Sequence, residues 1–294
     1  MKSVVINESF LERLERLELL LKHNSAGAFG GNRRSKSFGS SSEFADYRDY
    51  LPGDDITKID WNVYARTEKL YQKLYLDERQ MHTKIYIDTS RSMDFGSGEK
   101  AEMAVKLAAA IAYISISAME KVSIFALFGG EAVPIVSSVI GRDNFLTVIG
   151  KLNALEFSGD CKISEAMLKS SVGRADGLSV IISDFLTDDD YENAIDYLTD
   201  KRRDVLCVQV LAPSEINPDL SGKIHLYDSE NIDKTYRKNV NREIITAYRE
   251  AVKYATDRLR NYLAARGGGY ILVGADEELS DVFFGKMENL GVLK

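Results

Sequence analysis

Cysteine is scarce in this sequence: Cys161 and Cys207 are the two among 294 residues, in unrelated segments with no CxxC spacing. That excludes a disulfide framework and points to reduced thiols in a reducing compartment, read as the cytoplasm. Histidine is sparse too. His23, His82 and His225 lie in a leader, beside a strand and in a late segment, places that suit surface or packing roles better than catalysis. There is no excess of basic charge: 38 Lys and Arg stand against 45 Asp and Glu, a net charge of -7. Nothing electrostatic therefore favours nucleic acid or an anionic membrane surface as a partner. No apolar run approaches the ~20 residues that span a bilayer. The most apolar run, Leu107 to Met119, is 13 residues long and interrupted by Ser115 and Ser117. Met1 to Phe10 lacks a basic region followed by an apolar stretch, so no export is expected. Neither a GxGxxG nor a GxxxxGK[ST] phosphate loop occurs, and no repeat of fixed period is found.

What is present is an ordinary globular balance, 45% hydrophobic and 28% charged, able to bury a sizeable core. Within Glu8 to Lys22, the residues Phe10, Leu14, Leu17 and Leu21 share one helical face, which predicts a short amphipathic helix packed on the body of the chain or docked to a partner. Asn24 to Ser42 is rich in Gly and Ser, with Arg33, Arg34 and Lys36 among them, the composition of a flexible linker. Two β-prone runs follow, Asp60 to Arg66 and Leu70 to Leu76, separated by Thr67-Glu68-Lys69. They predict a hairpin, with turn chemistry in Pro52-Gly53-Asp54-Asp55 before it.

From Lys84 onward, short apolar runs alternate with helical patterns: Ile85 to Ile87, Val122 to Phe128, Leu178 to Ile182, Val205 to Leu211 and Tyr270 to Val273. This rhythm predicts a mostly parallel sheet covered by helices on both faces. Val122 to Phe128 and Ala132 to Val136 have only Gly129-Gly130-Glu131 between them, room for a tight turn alone, so the second run is antiparallel to the first. Pro134 within it cannot donate a ladder hydrogen bond, which predicts an edge strand. Lys100 to Met119 is apolar almost all round and predicts a buried helix. A long helix near the C-terminus carries Ile245, Tyr248, Val252, Ala255, Leu259 and Tyr262 as one stripe and stops at Gly267-Gly268-Gly269.

The chemistry is expected at the ends of two strands. Ile85-Tyr86-Ile87 runs into Asp88, and the next loop offers Ser90 and Ser92; Leu178 to Ile182 runs into Ser183-Asp184. In an open α/β sheet, ligands bind at the carboxyl ends of the strands. An aspartate and two hydroxyls at alternating positions suit a small hard cation such as Mg²⁺. Each group by itself also fits the plainer role of capping the next helix.

Asp88-x-Ser90-x-Ser92 after an apolar strand, the Gly-Gly turn with its edge strand, and Asp184 after a later strand resemble the metal-ion-dependent adhesion site of von Willebrand factor A-like domains. Upstream, Glu43-Phe44, Arg48, Tyr50, Gly53-Asp54-Asp55, Ile59-Asp60-Trp61 and Ala65-Arg66 resemble the prokaryotic family called domain of unknown function fifty-eight. Together the two resemblances cover roughly Arg34 to the C-terminus. They imply an α/β fold: a von Willebrand factor A-like, doubly wound, mostly parallel sheet with one antiparallel edge strand, preceded by an N-terminal helix and a β-hairpin extension. The expected organisation is helix and linker over 1–42, the family-specific hairpin region over 43–83, and the von Willebrand factor A-like domain over 84–294.

The resemblance implies Asp88, Ser90, Ser92 and Asp184 as ligands of Mg²⁺ or Mn²⁺, with a threonine from a second loop. The aligned stretch reads Gly159-Asp160-Cys161-Lys162-Ile163-Ser164, so Cys161 stands at the threonine position. A neutral thiol is a poor ligand for Mg²⁺, which leaves a weaker site, one that recruits Asp160, or none. Arg48, Asp54, Asp55, Asp60 and Arg66 are expected as ion pairs and turn caps and Trp61 as a core anchor; the alternative is a partner-docking surface. The function expected is a non-enzymatic protein-binding module, and the resemblance implies a MoxR-type AAA+ ATPase as its partner. Two other readings stand beside it: a metal-dependent phosphohydrolase using Asp88, and a structural domain with a vestigial metal site.

Overall fold

The computed structural model describes residues 6, 9–16, 44–52, 54–75, 81–94, 98–170, 172–173, 177–187, 189–218, 222–227 and 235–287. The expected linker over 24–42, with Arg33 and Arg34, lies outside these residues, as does the latter part of the N-terminal helix. The chain forms two compact units, Met1–Leu21 with Met81–Leu293, and Lys22–Gln80.

Residues 9–16 are helical and form α1. Phe10 and Leu14 are buried in the core of the larger unit, so this face of the helix packs on its own chain. The backbone N–H of Ile6 just ahead donates to Asn153 Oδ1 at 2.7 Å.

The smaller unit holds β1 (Phe44–Asp49), α2 (Trp61–Thr67) and β2 (Tyr71–Tyr75). The antiparallel pair is present, but β2 pairs with β1, Asp49 opposite Tyr71 and Phe44 opposite Tyr75. The expected strand at 60–66 is instead helix α2. The reason is capping: Asp60 Oδ1 accepts from Asn62 N at 2.9 Å and from Val63 N at 3.3 Å, satisfying donors that an isolated strand would leave open. Glu68, with φ of 58°, ends the helix in the left-handed region. Local capping thus outweighs the β propensity of Trp61, Val63 and Tyr64.

The larger unit continues through β3 (His82–Asp88), α3 (Glu99–Ser117), β4 (Lys121–Phe128), β5 (Glu131–Val139), α4 (Phe145–Asn153), α5 (Ile163–Lys169), β6 (Leu178–Ser183), α6 (Tyr191–Asp200), β7 (Asp204–Leu211), α7 (Pro213–Ile216), β8 (Gly222–Tyr227), β9 (Thr235–Val240), α8 (Arg242–Ala264) and β10 (Gly269–Gly274). Six of these strands form one sheet in the order β10-β7-β6-β3-β4-β5. All neighbours pair in parallel except β4 and β5. β5 is the edge, and Pro134 opposite Phe125 sits where the missing N–H costs no inner ladder bond. This is the doubly wound, von Willebrand factor A-like arrangement. A separate antiparallel pair, β8 with β9, has no counterpart in the expectation from sequence.

Successive strand residues point to opposite faces, and the sheet is buried on both. Ile85, Ile87, Val180 and Ile182 face α1, α3 and α4; Tyr86, Leu127, Ile181 and Cys207 face α5, α6 and the end of α8. That two-sided burial explains why these strands read as continuous apolar runs rather than alternating ones. Helix α3 is buried nearly all round as expected, and each fully buried Leu or Ile contributes roughly 1.5–3 kcal/mol relative to exposure. The expected stripe on α8 is the less exposed face of the helix, fully buried only toward its end. Leu259 is buried and Ile245, Val252, Ala255 and Tyr262 are half-buried, whereas Tyr248 is 37% exposed. No helix among the described residues is long and apolar enough to cross a membrane.

Candidate functional site

The chain order of the sheet reverses between β3 and β6, which are parallel neighbours leaving in opposite directions. Such a switch point opens a crevice at the carboxyl ends of the strands. Asp88 ends β3, and Ser183 ends β6 with Asp184 next to it. The fold thus brings together the two acidic segments singled out from sequence.

Asp88 is 3% exposed and fully engaged. Its Oδ1 accepts from Ser90 N at 2.9 Å and its Oδ2 from Ser183 Oγ at 2.6 Å. Burial, and then the neighbouring Asp184 charge, raise its pKa above the usual carboxylate range against those hydrogen bonds. Ser90 Oγ and Ser92 Oγ lie 3.0 Å apart, so one hydroxyl bonds the other.

Cys161 is delivered by docking of the second loop. Gly129 at the β4–β5 turn, with φ of 54°, donates its N–H to Asp160 O and accepts from Lys162 N. Arg91 N donates to Gly159 O, and Ser158 N to Thr89 O. These bonds clamp the loop on the strand ends and set the Cys161 thiol against Asp88. Burial first, then Asp88, push that thiol pKa far above its usual value, so it stays neutral. Asp160 is exposed, its backbone carbonyl engaged by Gly129.

Asp184 is held differently. Its Oδ1 accepts from Leu186 N at 3.1 Å, and its Oδ2 from the Lys100 ammonium at 2.9 Å. Lys100 Nζ also donates to Glu215 Oε1 at 2.7 Å. Lys100 is 2% exposed. Burial alone would lower its pKa, but Asp184 and Glu215 outweigh burial and raise it, so the ammonium keeps its proton. Behind Asp184, Gln209 Nε2 donates to the aspartate's carbonyl oxygen at 2.7 Å, and Tyr270 OH donates to Gln209 Oε1 at 2.6 Å. Tyr248 on α8 lies within the electrostatic reach of Glu215, Lys100 and Asp184.

Lys100 and Glu215 are the participants missed from sequence. A signal existed: Lys100 is a cation in the first turn of an apolar helix, where the helix dipole disfavours positive charge, and lysine is almost never fully buried unless paired. Gly98, at the cap before it, has φ of 77°, and a Cβ there would meet Asp94 Oδ1 at 2.9 Å; glycine is what allows this entry into α3.

The donor set decides how well these residues suit the implied Mg²⁺. Asp88 takes bonds from Ser90 N and Ser183 Oγ, and Asp184 takes an ammonium and a backbone N–H. Among the described residues, the buried side-chain polar atoms without a partner are Tyr86 Oη and Ser117 Oγ, and neither belongs to this cluster. No carboxylate here is left needing a dication, and a protonated thiol replaces a hard hydroxyl. The residues do not fit a resident divalent ion.

The upstream motif forms its own network within the smaller unit. Arg48 Nη2 donates to Asp54 Oδ2 at 2.7 Å and to Gln72 Oε1 at 3.0 Å. Asp55 Oδ1 accepts from Thr57 N at 3.0 Å. Asp60, besides capping α2, pairs through Oδ2 with Lys73 Nζ at 3.0 Å and with Tyr47 OH at 2.9 Å. Lys73 foremost, joined by Tyr47 and the backbone donors against a cost of burial, holds the Asp60 pKa down at about 2. Arg66 is exposed in the last turn of α2. Trp61 is not a core anchor. It is 59% exposed and meets Tyr64 edge to face at 6.1 Å.

The family model described as "Protein of unknown function DUF58" matches residues 46–258. The chain belongs to this family. Among curated relatives, uncharacterized proteins of Mycobacterium tuberculosis and Mycobacterium bovis are 30% identical over 226 residues, covering 74% of this DUF58 chain and 70% of theirs. Among solved structures, the DUF58 chain is similar to an aerotolerance-related membrane protein from Bacteroides fragilis, at 16% identity and a TM-score of 0.39, over 72% of this chain and 99% of that one. It is also similar to the SpRpn10 VWA domain, at 9% identity and a TM-score of 0.39, over 71% and 95%.

Proposed function

We propose that this DUF58 chain is a non-catalytic protein-binding module that docks a partner at the carboxyl edge of its sheet. One observation carries the reading: the polar groups at the switch point are mutually satisfied and rigidly held rather than poised for chemistry. Around them lies a rim that a partner can reach, with Arg91 exposed and Ser92, Glu215 and Tyr248 partly so. Arginine and tyrosine are favoured anchors at interfaces. The family resemblance supplies the partner, a MoxR-type AAA+ ATPase, and the compartment is the cytoplasm, where the buried free thiols of Cys161 and Cys207 stay reduced. We retain the functional division into 1–42, 43–83 and 84–294 as part of this reading.

The phosphohydrolase alternative asks Asp88 to attack as an exposed carboxylate. Its burial, its raised pKa and its bonds to Ser90 and Ser183 speak against that role. The test is co-purification of a MoxR-type ATPase with this chain. Capture by the wild type and its loss in Ser90→Ala/Ser92→Ala is expected. Capture unchanged by that variant would move the interface elsewhere, and Asp88-dependent hydrolysis of a phosphoester would overturn the module reading.

A further inference from the structure

We infer that Lys100 is the resident cation of this site, standing in for the divalent ion that the strand-end motif would otherwise hold. The sequence places a lysine two residues after the cap of a helix that is buried nearly all round. The fold buries it to 2% exposure, with its ammonium 2.9 Å from Asp184 and 2.7 Å from Glu215. An unpaired ammonium in such a place would be strongly disfavoured, so the two carboxylates are what retain it. The relation is reciprocal. Asp184 is 4% exposed and would itself be an uncompensated buried charge without the ammonium.

A dication at the motif has one structural duty, to neutralise converging buried carboxylates. Here that duty is divided. Lys100 and Leu186 N serve Asp184; Ser90 N and Ser183 Oγ serve Asp88. A second cation entering the cluster would face the fixed charge of Lys100. It would also have to displace hydrogen bonds already made and accept a thiol in place of a hydroxyl. The covalent attachment of Lys100 to α3 makes the positive charge permanent, so the charge balance of this edge is independent of free metal and insensitive to chelators. This inference concerns the isolated chain and does not rest on the identity of any partner.

The experiment titrates Mg²⁺ and Mn²⁺ into the purified chain, following the melting temperature and the heat of binding by calorimetry, with EDTA as the reference. A ligand bound only by the folded state must raise its stability. Wild type and Lys100→Arg, which keeps the charge, are expected to melt at the same temperature with metal as with EDTA and to give no saturable heat. Lys100→Met/Cys161→Thr, which removes the cation and restores the hydroxyl, is expected to gain a metal-dependent rise of several degrees. Saturable binding by wild type that is abolished by Asp88→Asn would overturn the inference. So would a folded double variant that remains indifferent to metal. Should the double variant fail to fold, the wild-type titration decides by itself.

Discussion

Lys100 and Asp60 carry the two charge networks, and each is tested by a different perturbation. Removing one partner of a buried ion pair strands the other, at a typical cost of about 3–5 kcal/mol. Lys100→Met is expected to lower stability in that range, read from the urea midpoint, because Asp184 stays buried without its ammonium. A loss under about 1 kcal/mol, the worth of a surface pair, would show that the pair is not buried in solution. Asp60 answers to pH. Its folded pKa lies at about 2, below the ~3.9 of an unfolded aspartate, so its contribution is complete above the unfolded value and is lost as pH falls through 4 toward 2. Trp61 is the one tryptophan in the chain and sits beside Asp60. Its fluorescence therefore reports this unit: wild type should lose stability across that window, whereas Asp60→Asn should start lower and change less. Equal pH profiles for the two would remove Asp60 from the account. The sequence made Asp88, Ser90, Ser92 and Asp184 visible because each follows an apolar strand. Lys100 stayed hidden because a charged residue at a helix start ordinarily means solvent, and only its distant partners reverse that meaning.

At the scale of elements, the strands of the six-stranded sheet and the buried helix α3 are legible, and β1, α2, β8 and β9 are not. β3, β4, β6 and β7 are two-sided and therefore uniformly apolar, a pattern that needs no neighbour to be read. α2 was misread as a strand because Trp61, Val63 and Tyr64 favour sheets, while the deciding contribution comes from one side chain, Asp60, bonding two backbone donors. The spacing along α8 predicts one continuous apolar stripe. Only the part facing the sheet, around Leu259 and Leu263, finds a core. The start of α3 gives a test of its own. Gly98→Ala places a side chain at a φ of 77°, where an L-residue pays roughly 1–2 kcal/mol. The expected loss of that size in thermal unfolding would mark the entry into α3 as geometrically fixed. A neutral outcome would mean that the helix entry relaxes freely.

For the whole molecule, the doubly wound order of the sheet explains why residues far apart in sequence meet. Asp88 and Ser183 are 95 positions apart and Lys100 and Glu215 are 115 apart, yet all converge at one switch point. This convergence, with Asp88 and Asp184 both hydrogen-bonded, is the observation on which the proposed docking edge rests. The measurement that bears most directly on this account is the affinity of the purified DUF58 chain for a MoxR-type ATPase. It is made by calorimetry in EDTA, with wild type and with Ser90→Ala/Ser92→Ala. The account predicts binding by wild type without metal and at least a tenfold loss in the variant, equivalent to about 1.4 kcal/mol. Equal affinity for both forms would contradict it.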